Sequence, residues 1–341
     1  MLDDLKLIHE RDSQDALGVS GRQWQYLLED FDVRVSAANV ANVVLAGMGG
    51  SALPGVLLSS WPQVTVPFEI VRGYDIPAYV NENTLFISSS FSGNTEETLS
   101  ALSQAEAAGA QIVVIASGGK LADLATEKAY PLFKLPAGIQ PRMATLYFLN
   151  AFVKILAPLG LTKLDTTGLS GTADWLKGEL EELSAVTPTA KNIAKQIALE
   201  LIGTTPIIYS GPLLFPAANK WKICLNENAK NTAWSGQYPE FNHNEFIGWS
   251  SHPIDKPFAV VEIRSNLEHP RVQKRFTVSE RLLSGMRPAP IVVEPHGEDL
   301  LQQLLWAVAM GDFVGSYVAI LNGLNPTPVD LVEKLKTALN D

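Results

Sequence analysis

Two short stretches concentrate residues whose types could hold an anion. In "VVLAGMGGSALPG", residues 43–55, an apolar run ends at Gly47, and Gly49 and Ala52 follow at the G-x-G-x-x-[GA] spacing of a dinucleotide loop. In "SSSFSGNTEET", residues 88–98, Ser88, Ser89, Ser90, Ser92 and Thr95 place five hydroxyls around Gly93. Hydroxyls and backbone N–H groups at the start of a helix surround a phosphate monoester with donors and need neither Lys nor metal. Asn94 and Glu97 also fit a capping box, but a cap uses one hydroxyl, not five. Glu96 and Glu97 would repel a phosphate that they faced.

A dinucleotide site makes a further demand: an acidic residue about twenty positions on, at the end of the next strand, for the ribose 2′-OH. Here the next candidate strand, "VPFEIVRGYD", ends at Arg72 and carries Glu69 inside it. An NADP-type Arg remains as one rival, and a plain tight β-to-α turn as another. Together the two loops favour a sugar phosphate, with Gly49, Gly50 and Ser51 at the sugar end and Ser90, Ser92 and Thr95 at the phosphate.

The elements that must position these loops are strands alternating with helices. β-rich runs start at Asn42, Thr84 and Gln111, with "VPFEIVRGYD" between the first two; similar runs start at Thr205, Pro257 and Pro288. Near-continuous Val, Ile and Leu runs alternating with helical patterns imply parallel sheets covered on both faces. The offsets between the halves are nearly constant, which suggests two α/β units of related architecture. The join falls in residues 158–183, giving expected domains 1–160 and 161–341. Ligands of open parallel sheets bind outside the carboxyl ends of the strands, here the loops after Ala46, Ile87, Ile115 and Ser210.

Composition narrows the function. A chain of 341 residues exceeds the about 100–200 of one domain. Hydrophobic residues at 46% and charged residues at 18% describe a globular protein. A net charge of −10 without a basic block argues against nucleic-acid or membrane-surface partners. Cys224 is the single cysteine, so neither an internal disulfide nor a Cys-based zinc site can form, and a cytoplasmic location is expected. The N-terminal stretch is charged, without the apolar core of a signal peptide. Residues 304–324 are long and apolar enough to span a bilayer, but Asp312 near the centre, with Gly311, Gly315 and Ser316, points to a buried helix.

In order along the chain, "GMGGSA", "SSSFSGNTEET", "QPRMATLYF", "NENAKNTAWSGQYPEFNHNEFIGW" and "NPTPVDLVEKLK" resemble the bifunctional phosphoglucose/phosphomannose isomerases from about Val43 to Lys336. Pro54 and Phe91 depart from the common pattern. The resemblance implies an α/β fold of two flavodoxin-like sugar isomerase (SIS) domains, each a parallel sheet flanked by helices, with the C-terminal helix free to pack back on the first domain. It also implies isomerisation of hexose 6-phosphates without metal or organic cofactor, in a homodimer with a shared active site.

Aldose–ketose interconversion moves a proton between C1 and C2 through an enediol, which calls for a carboxylate base, a ring-opening acid/base pair and a cation near the developing oxyanion. The resemblance makes Glu227, flanked by Asn226 and Asn228, the base. It makes His243 a ring-opening group supplied across the dimer interface, with Glu240 and Glu245 as possible supports. It places Arg142 beside the enediolate oxygens, and puts Lys334, seven positions after Thr327, at the sugar ring, with Lys336 as the alternative two residues on. Thr327 resembles the small residue that leaves room for rotation about C2–C3, so that both epimers are processed. No H-E-x-x-H is present, and His252, His269 and His296 are scattered without ligand spacing. Two rivals stay open: a non-catalytic sugar-phosphate-binding regulator and an NADP-binding oxidoreductase.

Overall fold

The computed structural model describes residues 1–61, 64–162, 166–251 and 257–339. The chain forms two compact units, one of Arg22–Asp174 and one of Met1–Gly21 with Trp175–Asp341. Two segments therefore fall elsewhere than a join at residue 160 would put them. Residues up to Asp174 stay with the first sheet, where Val64 and Thr162 form an antiparallel bridge. Met1–Gly21 joins the second unit: Asp12 accepts from Ala16 N at 2.8 Å and Leu17 N at 2.9 Å, which starts a short helix, Ala16–Gly21, that packs on the helix Leu300–Leu321.

The Arg22–Asp174 unit holds five parallel strands: β1 (Asn42–Ala46), β2 (Phe68–Val71), β3 (Thr84–Ser90), β4 (Gln111–Ala116) and β5 (Leu132–Lys134), in the order β2-β1-β3-β4-β5. This is the flavodoxin-like doubly wound order. Every residue of β3 is buried, as are four of five in β1 and five of six in β4, which is why these runs read as unbroken apolar sequence. The other unit repeats the path with β6 (Thr205–Ser210), β7 (Trp234–Gln237), β8 (Phe258–Ile263) and β9 (Ile291–Val293), all parallel in the order β7-β6-β8-β9. The sequence reading did not anticipate β5 or β7. Both are edge strands of three or four residues, and "WSGQ" carries no apolar run.

The apolar segment expected over 304–324 is the helix Leu300–Leu321, started by Asp299, whose side chain accepts from Gln302 N. Its most apolar 18-residue window is 94% buried within the protein. Against it lie the helices Ile193–Leu201 and Phe215–Glu227.

In the first sheet β1 and β3 are neighbours, and the chain leaves them toward opposite edges. The turn after β1 and the loop after β3 thus emerge side by side at the carboxyl edge, the switch point at which such sheets bind ligands. The corresponding loops of the second sheet follow β6 and β8.

Candidate active site

At the first switch point the two loops interlock. The Ser51 hydroxyl accepts from Phe91 N at 2.9 Å, and the Ser89 hydroxyl donates to Ser51 O at 3.0 Å. Gly47 allows this closeness, since a Cβ there would lie 2.9 Å from Ser89 O. A Cβ on Gly50 would lie 2.8 Å from both Arg142 N and Pro141 C, so the glycine turn also rests directly on the turn Pro141–Met143. Ser51 is a brace between loops as well as a candidate ligand.

The five hydroxyls of the serine loop divide in two. Ser88 is fully buried within β3, and Ser89 is spent on Ser51; a strand residue facing the core cannot face a ligand as well. Ser92 and Thr95 remain at the opening, with Ser90, the buried last residue of β3, directly behind Thr95. Ser90 Oγ lies 2.8 Å from Thr95 Oγ1 and accepts from Gly93 N at 3.1 Å, and Ser92 Oγ accepts from Asn94 N at 3.3 Å. Gly93 has φ +70°, and a Cβ there would collide with Gly118 O, so the loop turns where only glycine fits.

The helix Glu96–Ala107 begins after Thr95 without a side-chain cap. The expected cap residue Asn94 instead accepts from Lys120 N at 3.1 Å. The first N–H groups of this helix are therefore left without a side-chain acceptor, the arrangement that suits a phosphate. Glu96, a source of repulsion in the sequence, accepts from Tyr74 Oη at 3.2 Å. Arg142 is 1% exposed, and its Nη1 donates to Gln140 Oε1 at 3.2 Å. It is a buried cation, not a solvated surface group.

The dinucleotide reading asks for a carboxylate at the end of β2, whereas Glu69 lies inside that strand. Glu69 accepts from Tyr79 Oη at 2.7 Å, and burial, together with this carboxylate, pushes the Tyr79 hydroxyl up to about 12.

In the other unit, Glu227 is the last residue of the helix Phe215–Glu227 and is half-buried. Asn226 Nδ2 donates to Lys222 O at 2.8 Å and to Ala233 O at 3.0 Å, and the buried Asn228 donates to Ser316 Oγ at 3.4 Å. Lys230 Nζ donates to Asn228 O at 3.1 Å, Asn325 O at 2.6 Å and Pro326 O at 3.2 Å. This lysine ties the end of the Glu227 helix to the segment bearing Thr327, whose N–H donates to Asn325 Oδ1 at 3.0 Å. Sequence reasoning missed Lys230, although it sits three residues from Glu227 in the same polar block.

His243 is exposed at the end of the turn Glu240–His243. Its neighbours are committed elsewhere: Asn242 to Ser279 at 2.9 Å, Asn244 to Glu240 at 2.7 Å, and Glu245 to Tyr209 Oη at 2.9 Å. Glu240 and Glu245, the expected supports, thus bond to Asn244 and Tyr209. Lys334 is exposed on the helix Asp330–Leu339, which buries no residue, while Lys336 pairs with Glu333 at 2.7 Å. Among the described residues no three His, Cys, Asp or Glu side chains converge to hold a metal; His252 lies outside the described residues.

At the second switch point, a carboxylate from the chain itself fills the turn. Glu268, 4% exposed, accepts from Leu213 N at 2.8 Å and stands where a Cβ on Gly211 would be. Burial holds its carboxyl above the usual range against the pull of the backbone N–H groups that it accepts from. Of the two switch points it is the first, with its uncapped helix, that leaves donors for an external anion.

Residues 190–339 match the family model of the bacterial phospho-glucose isomerase C-terminal SIS domain. The chain is 34% identical over 316 residues to the bifunctional phosphoglucose/phosphomannose isomerase of Caldicellulosiruptor bescii, covering 91% of this chain and 93% of that protein. It is also 34% identical over 233 residues to the D-glucosamine-6-phosphate 4-epimerase of Sulfolobus acidocaldarius, covering 67% of this chain and 71% of the relative. Among solved structures, a glucose-6-phosphate isomerase like protein from Thermus thermophilus shares the fold with a TM-score of 0.66, at 17% identity over 98% of each chain. Similarity at this level along more than nine tenths of both chains, ending in a matched SIS domain, shows that the chain belongs to the bifunctional phosphoglucose/phosphomannose isomerase family.

Proposed function

We propose that the protein is an isomerase that interconverts glucose 6-phosphate, mannose 6-phosphate and fructose 6-phosphate through an enediol. The observation that carries this reading is the interlocked pair of loops at the β1/β3 switch point, with an uncapped helix start edged by Ser90, Ser92 and Thr95. That arrangement suits one phosphate monoester; Gly49, Gly50 and Ser51 are assigned to the sugar end.

In this reading the Glu227 carboxylate takes the C2 proton of the open-chain aldose and returns it to C1, while a hydroxyl proton passes from O2 to O1. Return of the proton to either face of C2 yields glucose or mannose, with Thr327 leaving room for rotation about C2–C3. Arg142 is the fixed cation for the enediolate oxygens. His243 and Lys334 are assigned to ring opening, which moves a proton onto O5 and one off O1. No metal or organic cofactor enters these steps. The family resemblance supports a homodimer in which His243 serves the partner's site, and the single buried cysteine suits the cytoplasm.

The 4-epimerase relative motivates a second reading, action on D-glucosamine 6-phosphate. A coupled assay of the purified protein with fructose 6-phosphate, measuring glucose 6-phosphate and mannose 6-phosphate separately, tests the first. Both products are expected. Neither product, with D-glucosamine 6-phosphate consumed in a parallel reaction, supports the epimerase; an inert protein stabilised by hexose 6-phosphates supports a regulator, and one stabilised by NADPH an oxidoreductase.

A further inference from the structure

The helix that carries Glu227 is fastened to the core helix Leu300–Leu321 by a buried polar ladder. Lys220, Trp221, Cys224 and Asn228 recur at helical spacing along its inward stripe, and each is buried. Lys220 Nζ lies 2.7 Å from Asp312 Oδ1, and both side chains have zero exposure. The Cys224 thiol donates to the same oxygen at 3.2 Å, Trp221 Nε1 donates to Ala307 O at 2.8 Å, and Asn228 donates to Ser316 Oγ at 3.4 Å. Gly311 and Gly315 bring the helices together: a Cβ on the first would lie 2.6 Å from the Trp221 ring, and on the second 2.9 Å from Cys224 Cβ.

The seats that Gly311 and Gly315 give Trp221 and Cys224 set the register coarsely, and the ion pair adds a directional constraint at the same contact. The core helix is buried all round, and Asp312 is the charged group along it that meets Lys220, so a shift of a fraction of a turn, about 5.4 Å in full, already breaks a 2.7 Å contact. A buried ion pair adds little net stability over an apolar pair of like volume, and its best-attested use is to specify register. Seven residues separate Lys220 from Glu227, about 10 Å of rigid helix, so the register at Asp312 is transmitted to the carboxylate. Lys230 passes it on to the Thr327 segment. A misplacement of about 1 Å at a reacting group can cost on the order of 100-fold in rate.

We propose that Lys220 and Asp312 are positioning residues: their ion pair sets the axial position of the Glu227 helix, and with it the reach of the carboxylate. The proposal rests on the isomerase reading.

The test is the double variant Lys220→Met with Asp312→Val, which removes both charges. Its expected behaviour is a melting temperature at or above that of the wild type, a KM for fructose 6-phosphate within about twofold, and a kcat lowered by about 10-fold or more. A merely structural pair would leave kcat in step with stability. Should the double variant not fold, Lys220→Met with Asp312→Asn decides: it removes the ion pair but keeps an oxygen for the Cys224 thiol, and kcat should fall with KM held within about twofold. An undiminished kcat in whichever variant is folded overturns the proposal. The same assay on the wild type keeps the two readings apart, because an inactive wild type sinks the isomerase function, whereas an active wild type with an equally active variant sinks only the positioning role.

Discussion

At Gly50 a single methyl group is enough to test how the glycine turn works. Its Cβ would meet backbone atoms of Pro141 and Arg142, which cannot swing aside as a side-chain tip can. Gly50→Ala should cost about 1–3 kcal/mol in urea unfolding and displace Arg142. Gly73→Ala, where no atom lies within 4 Å of the added carbon, serves as the neutral control. Glu227→Gln keeps shape and removes the proposed base: kcat should drop by roughly 10²–10⁴-fold while hexose 6-phosphates still raise the melting temperature. Full activity in this variant would assign the proton transfer to another group.

The element that invites a pH measurement is the loop after β8, which places Glu268 against Leu213 N. Burial raises its folded-state pKa above the ordinary 4.5. The native protein then keeps this proton to a higher pH than the unfolded chain does. Its contribution to stability is complete below the unfolded value and is lost as the pH climbs through the folded one. Glu268→Gln retains an acceptor for Leu213 N and abolishes the titration. The urea midpoint of this variant relative to the wild type should therefore rise as pH increases from the ordinary carboxylate range to the elevated one; a difference that stays flat over that window counts against a neutralised Glu268.

For the whole molecule the proposed dimer makes a prediction independent of any single rate. If Glu227 of one protomer works with the imidazole of the other, co-expressed Glu227→Gln and His243→Ala chains form mixed dimers in which one of the two sites has both groups intact. Activity should reappear from two inactive parents. Independent protomers would give none, which would return His243 to its own site or remove it from the chemistry.

Sequence alone determined what depends on local pattern. The unbroken apolar runs specified the buried strands β1, β3 and β4, and the small polar residues after them marked the loops at the carboxyl edge of the sheet. Asp312 in an otherwise apolar stretch pointed to a core helix. The three-residue β5 and the four-residue β7 were not legible, because an edge strand this short is defined by the neighbour it pairs with and not by its own residues. Among the serine-loop hydroxyls, composition counted five donors; only the packed structure showed that Ser88 and Ser89 face inward and that Asn94 is drawn to Lys120. Likewise, Glu268, Lys230 and the Lys220–Asp312 pair act on groups dozens of residues away, and no local pattern records which distant atom a side chain will meet. Periodicity and turn chemistry are properties of neighbours along the chain, whereas the occupancy of a donor or the register between helices arises only when distant segments are brought together.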